Sequence, residues 1–162
     1  MDWDVKVKEA LERTEFMAIS TVGSDGSWTC PVQFGYDDKL GLYFKSMPQA
    51  KHMRNLAADP RISVAIFKTD RFDDGEVLGL QLKGTAKVLT ERAEVEEACL
   101  HYYSRGPRRS DYTSRVDEHL GATATWNFVK IFPKEAWCFD SREFDEERRQ
   151  IDLAGISIKL DY

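Results

Sequence analysis

The sequence predicts an α+β protein built on a small antiparallel barrel. Three observations point there. About seven runs read as strands against three or four short helical segments. The first three strand runs are joined by tight turns, which makes them antiparallel neighbours. Strands and helices do not alternate regularly, as a doubly wound parallel sheet would require. A sheet of this size must pack on another sheet or curl into a barrel to remove its edges.

The elements follow in order. Residues 4–14 place Val7, Ala10 and Leu11 on one helical face. Phe16 to Val22 is an apolar run of buried-strand type, and Gly23-Ser24-Asp25-Gly26 is a turn. Trp28 to Tyr36 predicts a second strand, in which Pro31 marks an edge, a bulge or a gap in the ladder. Asp37-Asp38-Lys39 turns the chain into a third strand from Leu40 to Lys45. A helix from Pro48 to Ala58 follows, with Met53 and Leu56 inward and Asp59-Pro60 ending it. Arg61 to Phe67 is a fourth strand, a polar loop runs from Thr69 to Gly75, and a long fifth strand spans Glu76 to Leu89. Thr90 reads as the N-cap of a helix from Glu91 to Ser104. Arg105 to Arg109 is a basic loop, read as solvated. A short helix from Tyr112 to Leu120 stops at Gly121. Thr123 to Phe132 and Glu135 to Phe139 read as two strands, and Ile151 to Leu160 as a last one. No repeat, low-complexity stretch or linker divides the chain, so residues 1–162 read as one domain.

Composition narrows the function classes. The formal net charge of −5 argues against a general nucleic-acid binder, which needs a basic face to release counterions. The longest apolar runs are strand-length, short of a membrane span. Met1 is followed by Asp2-Trp3-Asp4, unlike a signal peptide, and a cytoplasmic location is the expectation. Cys30, Cys99 and Cys138 are far apart and form no CxxC, as expected of reduced thiols. His52, His101 and His119 have no metal-ligand spacing, and no metal site is expected.

The stretch with the most chemical content is Leu42-Tyr43-Phe44-Lys45-Ser46-Met47-Pro48-Gln49-Ala50-Lys51, a strand running into a helix. Ser46 and Gln49 fit the capping-box spacing, and Pro48 is tolerated in a first turn. The first amides of such a helix lack internal partners and sit at the positive end of its dipole. With Lys51 one turn in, the corner suits a phosphate monoester, although an ordinary capped helix with a solvated lysine has the same sequence.

The ordered set of segments resembles the pyridoxamine 5′-phosphate oxidase-like flavoproteins, the FMN-binding split β-barrels. The matching segments are Phe16 to Val22, Asp25-Gly26, Pro31 to Phe34, Tyr36 to Asp38 and Leu42 to Phe44, then Lys51, Arg54-Asn55-Leu56, Asp59 to Ala65 and Gly84 to Leu89. Trp137, Arg142 and Arg148 echo the family's C-terminal strand and tail more loosely. The resemblance implies a split barrel with peripheral helices and a homodimer whose two FMN sites are lined by both subunits. It implies that Lys51 contacts the flavin phosphate and that Phe44, Lys45 and Ser46 lie along the ribityl phosphate and ring. Thr29, Cys30, Pro31 and Val32 would form the neighbouring strand, with Gln49 beside Lys51. Gly79 and Gln81 would come from the partner subunit's strand. Trp137 would flank the ring, and Arg148 would add charge near phosphate or substrate.

The chain also departs from the true oxidases. Thr29 stands where they keep an arginine, and Gln49-Ala50 where they keep a serine and an arginine ahead of the lysine. Lys45, Arg54 or Arg148 could replace the missing charge, and the oxidases' paired C-terminal arginine and histidine are not reproduced. The resemblance therefore implies hydride or electron transfer on a small molecule by a flavin, with a pyridine nucleotide, oxygen or a small oxidised compound as partner, and not pyridoxine-phosphate oxidation. Two alternatives are a flavin- or haem-binding sensor on the same barrel and a dimeric barrel without cofactor.

Overall fold

The computed structural model describes residues 1–67, 75–105 and 111–162. Within them an eight-stranded antiparallel sheet is ordered β2-β1-β5-β6-β7-β4-β3, with β8 added to β7. The strands are β1 (Phe16–Gly23), β2 (Gly26–Gln33), β3 (Gly35–Tyr36), β4 (Leu42–Ser46), β5 (Arg61–Phe67), β6 (Leu78–Val88), β7 (Asn127–Asp140) and β8 (Arg148–Gln150). The helices are α1 (Trp3–Glu12), α2 (Lys51–Ala58) and α3 (Arg92–Tyr103), with a 3-10 helix over Thr113–His119. The polar loop from Thr69 and residues Arg108 and Arg109 fall outside the described residues.

Chain connectivity shows why the sheet is curled. β2 and β3 occupy opposite ends of the strand order, yet only Phe34 separates them in sequence. Two residues of chain reach at most about 7 Å. The two edges must therefore lie side by side without a ladder between them, which is a split barrel. The predicted strand from Trp28 to Tyr36 is divided for this reason: the chain changes edges at Phe34. Gly35 permits the crossing, because a Cβ there would press on the α3 backbone at His101 and Tyr102. Pro31 sits on the β2 edge, where no ladder partner is needed on its outer side.

Alternation sorts residues into an inner and an outer face. Met17 and Ile19 of β1, Val64 and Ile66 of β5, and Leu80 and Leu82 of β6 point inward with Leu42 and Phe44 of β4. α1 adds Val7, Ala10 and Leu11 to this core, and α2 adds Met53 and Leu56. A second apolar cluster packs α3 and the 3-10 helix on the opposite face of β4 and β7, through Tyr43, Cys99, Tyr102, Tyr103 and Phe128.

Several expectations are corrected. The two strands expected at 123–132 and 135–139 are one bent strand, β7, whose register shifts opposite Lys83/Gly84. Pro133 is accommodated there because Gly84 has no Cβ; one would collide with the Phe132 carbonyl oxygen. The last strand is Arg148–Gln150, not Ile151 to Leu160, and the tail beyond it is irregular with Ile151, Ile156 and Ile158 buried. α3 has Glu91 as its N-cap residue, with no side-chain cap, and Thr90 does not cap it. The short helix after 112 is 3-10, and Gly121 beyond it takes φ +80° as a helix stop does. Arg105 is not solvated. Its guanidinium is buried, donates to the carbonyls of Phe34, Leu11 and Thr14 at 2.8, 2.7 and 3.0 Å, and stacks on Phe34.

Candidate cofactor site

The split between β2 and β4 is closed at one end by α2, and most of the predicted site residues meet there. Strand alternation divides them. Cys30 and Val32 of β2 turn inward, opposite Ile19 and Met17, whereas Thr29 and Pro31 turn outward opposite Ser20 and Ala18. Thr29 shares a hydroxyl hydrogen bond with Ser20 at 2.7 Å. On β4, Phe44 is fully buried in the barrel and Ser46 lies on the same face.

Ser46 does not cap α2. β4 runs through Ser46, held by pairing with Asn127, and α2 begins only at Lys51. Pro48 and Gln49 are exposed in the intervening turn, where Ala50 N–H bonds the Met47 carbonyl at 3.0 Å. The N-cap residue is Ala50, which offers no side-chain acceptor, and the first turn carries no acidic residue. The positive end of α2 is thus left without a side-chain cap, which is the condition for anion binding.

Ser46 instead ends a hydrogen-bonded chain across the split. His52 Nε2 lies 2.7 Å from Ser46 Oγ, and His52 Nδ1 lies 3.3 Å from Cys30 Sγ. Burial lowers the His52 pKa and raises that of Cys30, so a neutral imidazole faces a thiol. One ring proton then serves one side, and the protons run either from thiol to ring to hydroxyl or in reverse. Beside this chain, Asn55 donates to Thr21 Oγ1 at 3.0 Å and fixes α2 to β1.

Lys51 stands at the mouth of the corner. Its ammonium pairs with Asp25 of the β1–β2 turn at 2.7 Å and lies 4.7 Å from the centroid of the Trp28 ring. Trp28 therefore supports Lys51. The pair is partly exposed, so exchange of Asp25 for a phosphate oxygen costs little.

The remaining predicted residues lie elsewhere in the protomer. Gln81 and Trp137 are register partners on the outer face of β6 and β7, and Arg148 Nε donates to Gln81 Oε1 at 2.9 Å. The row Pro31, Ala18, Ala65, Gln81, Trp137 crosses five strands, which puts Gln81 three strands from Pro31. That separation is on the order of 14 Å. Lys45 points away from Ser46, to the α3 side, where it donates to Tyr103 Oη at 3.0 Å. Among the described residues no group of His, Cys, Asp and Glu could hold a metal ion.

Sequence reasoning missed His52 and Asn55. Their signal was present: both are polar, three apart, on the helical face that carries Leu56. The pairing of Lys51 with Asp25 had no sequence signal, since it depends on how the hairpin turn folds back.

Comparison with known proteins agrees with this fold. Residues 4–125 match the family model described as pyridoxamine 5′-phosphate oxidase. No curated protein matches. Among solved structures, a conserved hypothetical protein from Mycobacterium tuberculosis is similar at 16% identity and TM-score 0.71, covering 92% of this chain and 91% of its own. An FAD-binding protein from Mesorhizobium loti is similar at 17% identity and TM-score 0.63, over 84% of this chain and 91% of its own. A heme binding protein from Mycobacterium smegmatis is similar at 16% identity and TM-score 0.66, over 92% of this chain and 56% of its own. These likenesses concern the fold.

Proposed function

Because the chain belongs to the pyridoxamine 5′-phosphate oxidase family, we propose that it binds FMN and acts as an oxidoreductase on a small molecule. The observation that carries this reading is the uncapped end of α2 beside Lys51, opening onto the split between β2 and β4. The donor set fits a terminal phosphate: helix amides, a lysine ammonium held on an aromatic face, and no acidic residue in the first turn. The edge of β2 adds backbone groups at 29–32 for the polar rim of a planar ring.

A bound flavin supplies the hydride or electron transfer itself. The chain's own residues bind, orient and exclude water. Lys51 exchanges Asp25 for phosphate. Ser46, held by His52, keeps a hydroxyl at the edge of the split, and Phe44 and Val32 seal its floor against solvent. Thr29, Gln49 and Ala50 remove groups that the oxidases use, which argues against pyridoxine phosphate as the substrate.

In this reading the protein works as a homodimer. The outer face of β1, β5 and β6 carries no helix among the described residues and exposes Phe16 and Phe67 at 50% and 47%. A second copy on this face would bring its Gln81 and Trp137 to the corner that one copy cannot reach across three strands. Haem is supported less well than flavin. Both ring nitrogens of His52 and of His119 are engaged, and His101 Nδ1 lies 2.8 Å from Tyr162 Oη. An axial histidine would have to give up such a bond.

The absorption spectrum after FMN addition and removal of free cofactor tests the reading. Retained bands near ~370 and ~450 nm that bleach with NADH or NADPH under anaerobic conditions are expected. A protein that retains no FMN overturns it.

A further inference from the structure

We infer that Ser46, His52 and Cys30 form a reversible relay, which turns the Ser46 hydroxyl into a hydrogen-bond donor when a ligand oxygen enters the split. The inference rests on the flavin reading for the identity of that ligand, whose phosphate or ribityl oxygens are the acceptors. His52 and Cys30 are then positioning residues that act on the ligand through Ser46.

The relay is built from three elements. Ser46 ends β4, His52 lies in the first turn of α2, and Cys30 turns inward from β2. Ser46 and His52 are 6% and 9% exposed, so water does not replace a bond that they lose. His52 Nε2 lies 2.7 Å from Ser46 Oγ, and Nδ1 lies 3.3 Å from Cys30 Sγ. The imidazole is tilted against the Phe44 ring, with centroids 6.0 Å apart, which holds its plane. Burial keeps the imidazole neutral and the thiol protonated.

Counting hydrogens gives the relay two directions. With the ring hydrogen on Nδ1, the hydroxyl donates to Nε2 and Nδ1–H donates to sulfur, and the thiol hydrogen is left over. With the ring hydrogen on Nε2, it donates to Ser46 Oγ and the thiol donates to Nδ1, and the hydroxyl hydrogen is left over. A thiol is a weak donor, so a buried hydroxyl hydrogen costs more to leave unpaired. The free protein therefore carries the ring hydrogen on Nδ1.

A ligand oxygen beside Ser46 inverts that preference. The hydroxyl donates to the ligand, Nε2 loses its donor, and the ring hydrogen is better placed on Nε2, where it donates to Ser46 Oγ. Sulfur accepts in one direction and donates in the other, so Nδ1 is paired in both. The ring releases one proton to water from Nδ1 and binds one at Nε2, so charge and proton count are unchanged. The cost of turning the hydroxyl toward the ligand is thus offset within the relay.

Nitrogen NMR of the full chain, with isotope-labelled histidine, reads the tautomer directly. His52→Gln assigns the His52 signals by their loss. His119 is an internal reference: its Nδ1 lies 2.9 Å from the Trp126 carbonyl, which can only accept, so its hydrogen stays on Nδ1. His52 is expected as the Nδ1–H form in the free protein and as the Nε2–H form with saturating FMN. Ser46→Ala is expected to weaken FMN by about threefold to tenfold, the worth of one neutral hydrogen bond, and to abolish the response of the ring. An Nε2–H ring in the free protein, an imidazolium at neutral pH, a ring unmoved by bound FMN, or a response that survives Ser46→Ala would each overturn the relay. A protein that takes up no FMN defeats the flavin reading alone. Inorganic phosphate is then the probe: a shift to Nε2–H supports the relay, and a ring that stays Nδ1–H at every phosphate concentration overturns it.

Discussion

Lys51 is the residue on which the cofactor reading turns, and its surroundings set what its loss should do. It pairs with Asp25 at a partly exposed site, so Lys51→Ala should leave folding stability nearly unchanged. FMN affinity should fall by about 1–3 kcal/mol, measurable by titration, because a charge-assisted contact is lost. Two other charges act on stability instead. Arg105→Ala leaves three buried carbonyls without their donor and should cost about 3 kcal/mol in urea unfolding. Asp140 is fully buried, with Arg142 and Lys6 both 2.7 Å away. The bonds from Arg142, then Lys6, outweigh burial and hold its carboxyl well below the ordinary value of 3.8. A depressed carboxylate contributes stability that is fully present above its unfolded value and lost as pH falls through its folded value. Burial opposes the charge on Lys6, but its bonds to Asp140 and Glu143 prevail and raise it above 10.5, so its share persists to alkaline pH. Asp140→Asn should therefore cost about 3 kcal/mol near neutral pH, a gap that narrows in acid below about pH 4. Of these residues Lys51 and Arg142 were singled out from the sequence, and neither the burial of Asp140 nor that of Arg105 was. Arg105 stands in a run of arginines that looks solvated, and only the approach of the α1 and β2 ends gives it partners.

Elements were legible where a period or a breaker marked them and obscure where pairing overrode local signals. β5 was expected at Arg61 to Phe67 and is found there, because its alternation is unbroken. The capping box of Ser46 and Gln49 misled because β4 gains more by pairing Ser46 with Asn127 than the helix gains by an early cap. Two strands were expected on either side of residues 133–134, yet the bulge opposite Gly84 carries β7 through Pro133. Gly84→Ala should drive a methyl into the Phe132 carbonyl and destabilise the protein by about 2 kcal/mol, seen as an earlier thermal transition. The Cys30–His52–Ser46 chain was invisible in sequence because its members come from β2, α2 and β4, which meet only when the sheet curls.

For the whole molecule, the split barrel was legible from the order of segments, and connectivity shows its physical origin: β2 and β3 are adjacent in sequence and at opposite ends of the sheet. On the proposed reading one chain supplies only part of the site. The corner at α2 and the outer-face pair Gln81 and Trp137 belong to one cofactor site only if two copies share it. Light scattering should then report a dimer, and Phe67→Glu on the exposed outer face should shift it toward monomer. The most direct measurement is calorimetric titration of FMN into the protein, its Lys51→Ala variant and its Trp137→Ala variant. One FMN per chain, weakened by both variants, is the predicted result. No binding, or binding that neither variant weakens, would contradict the account.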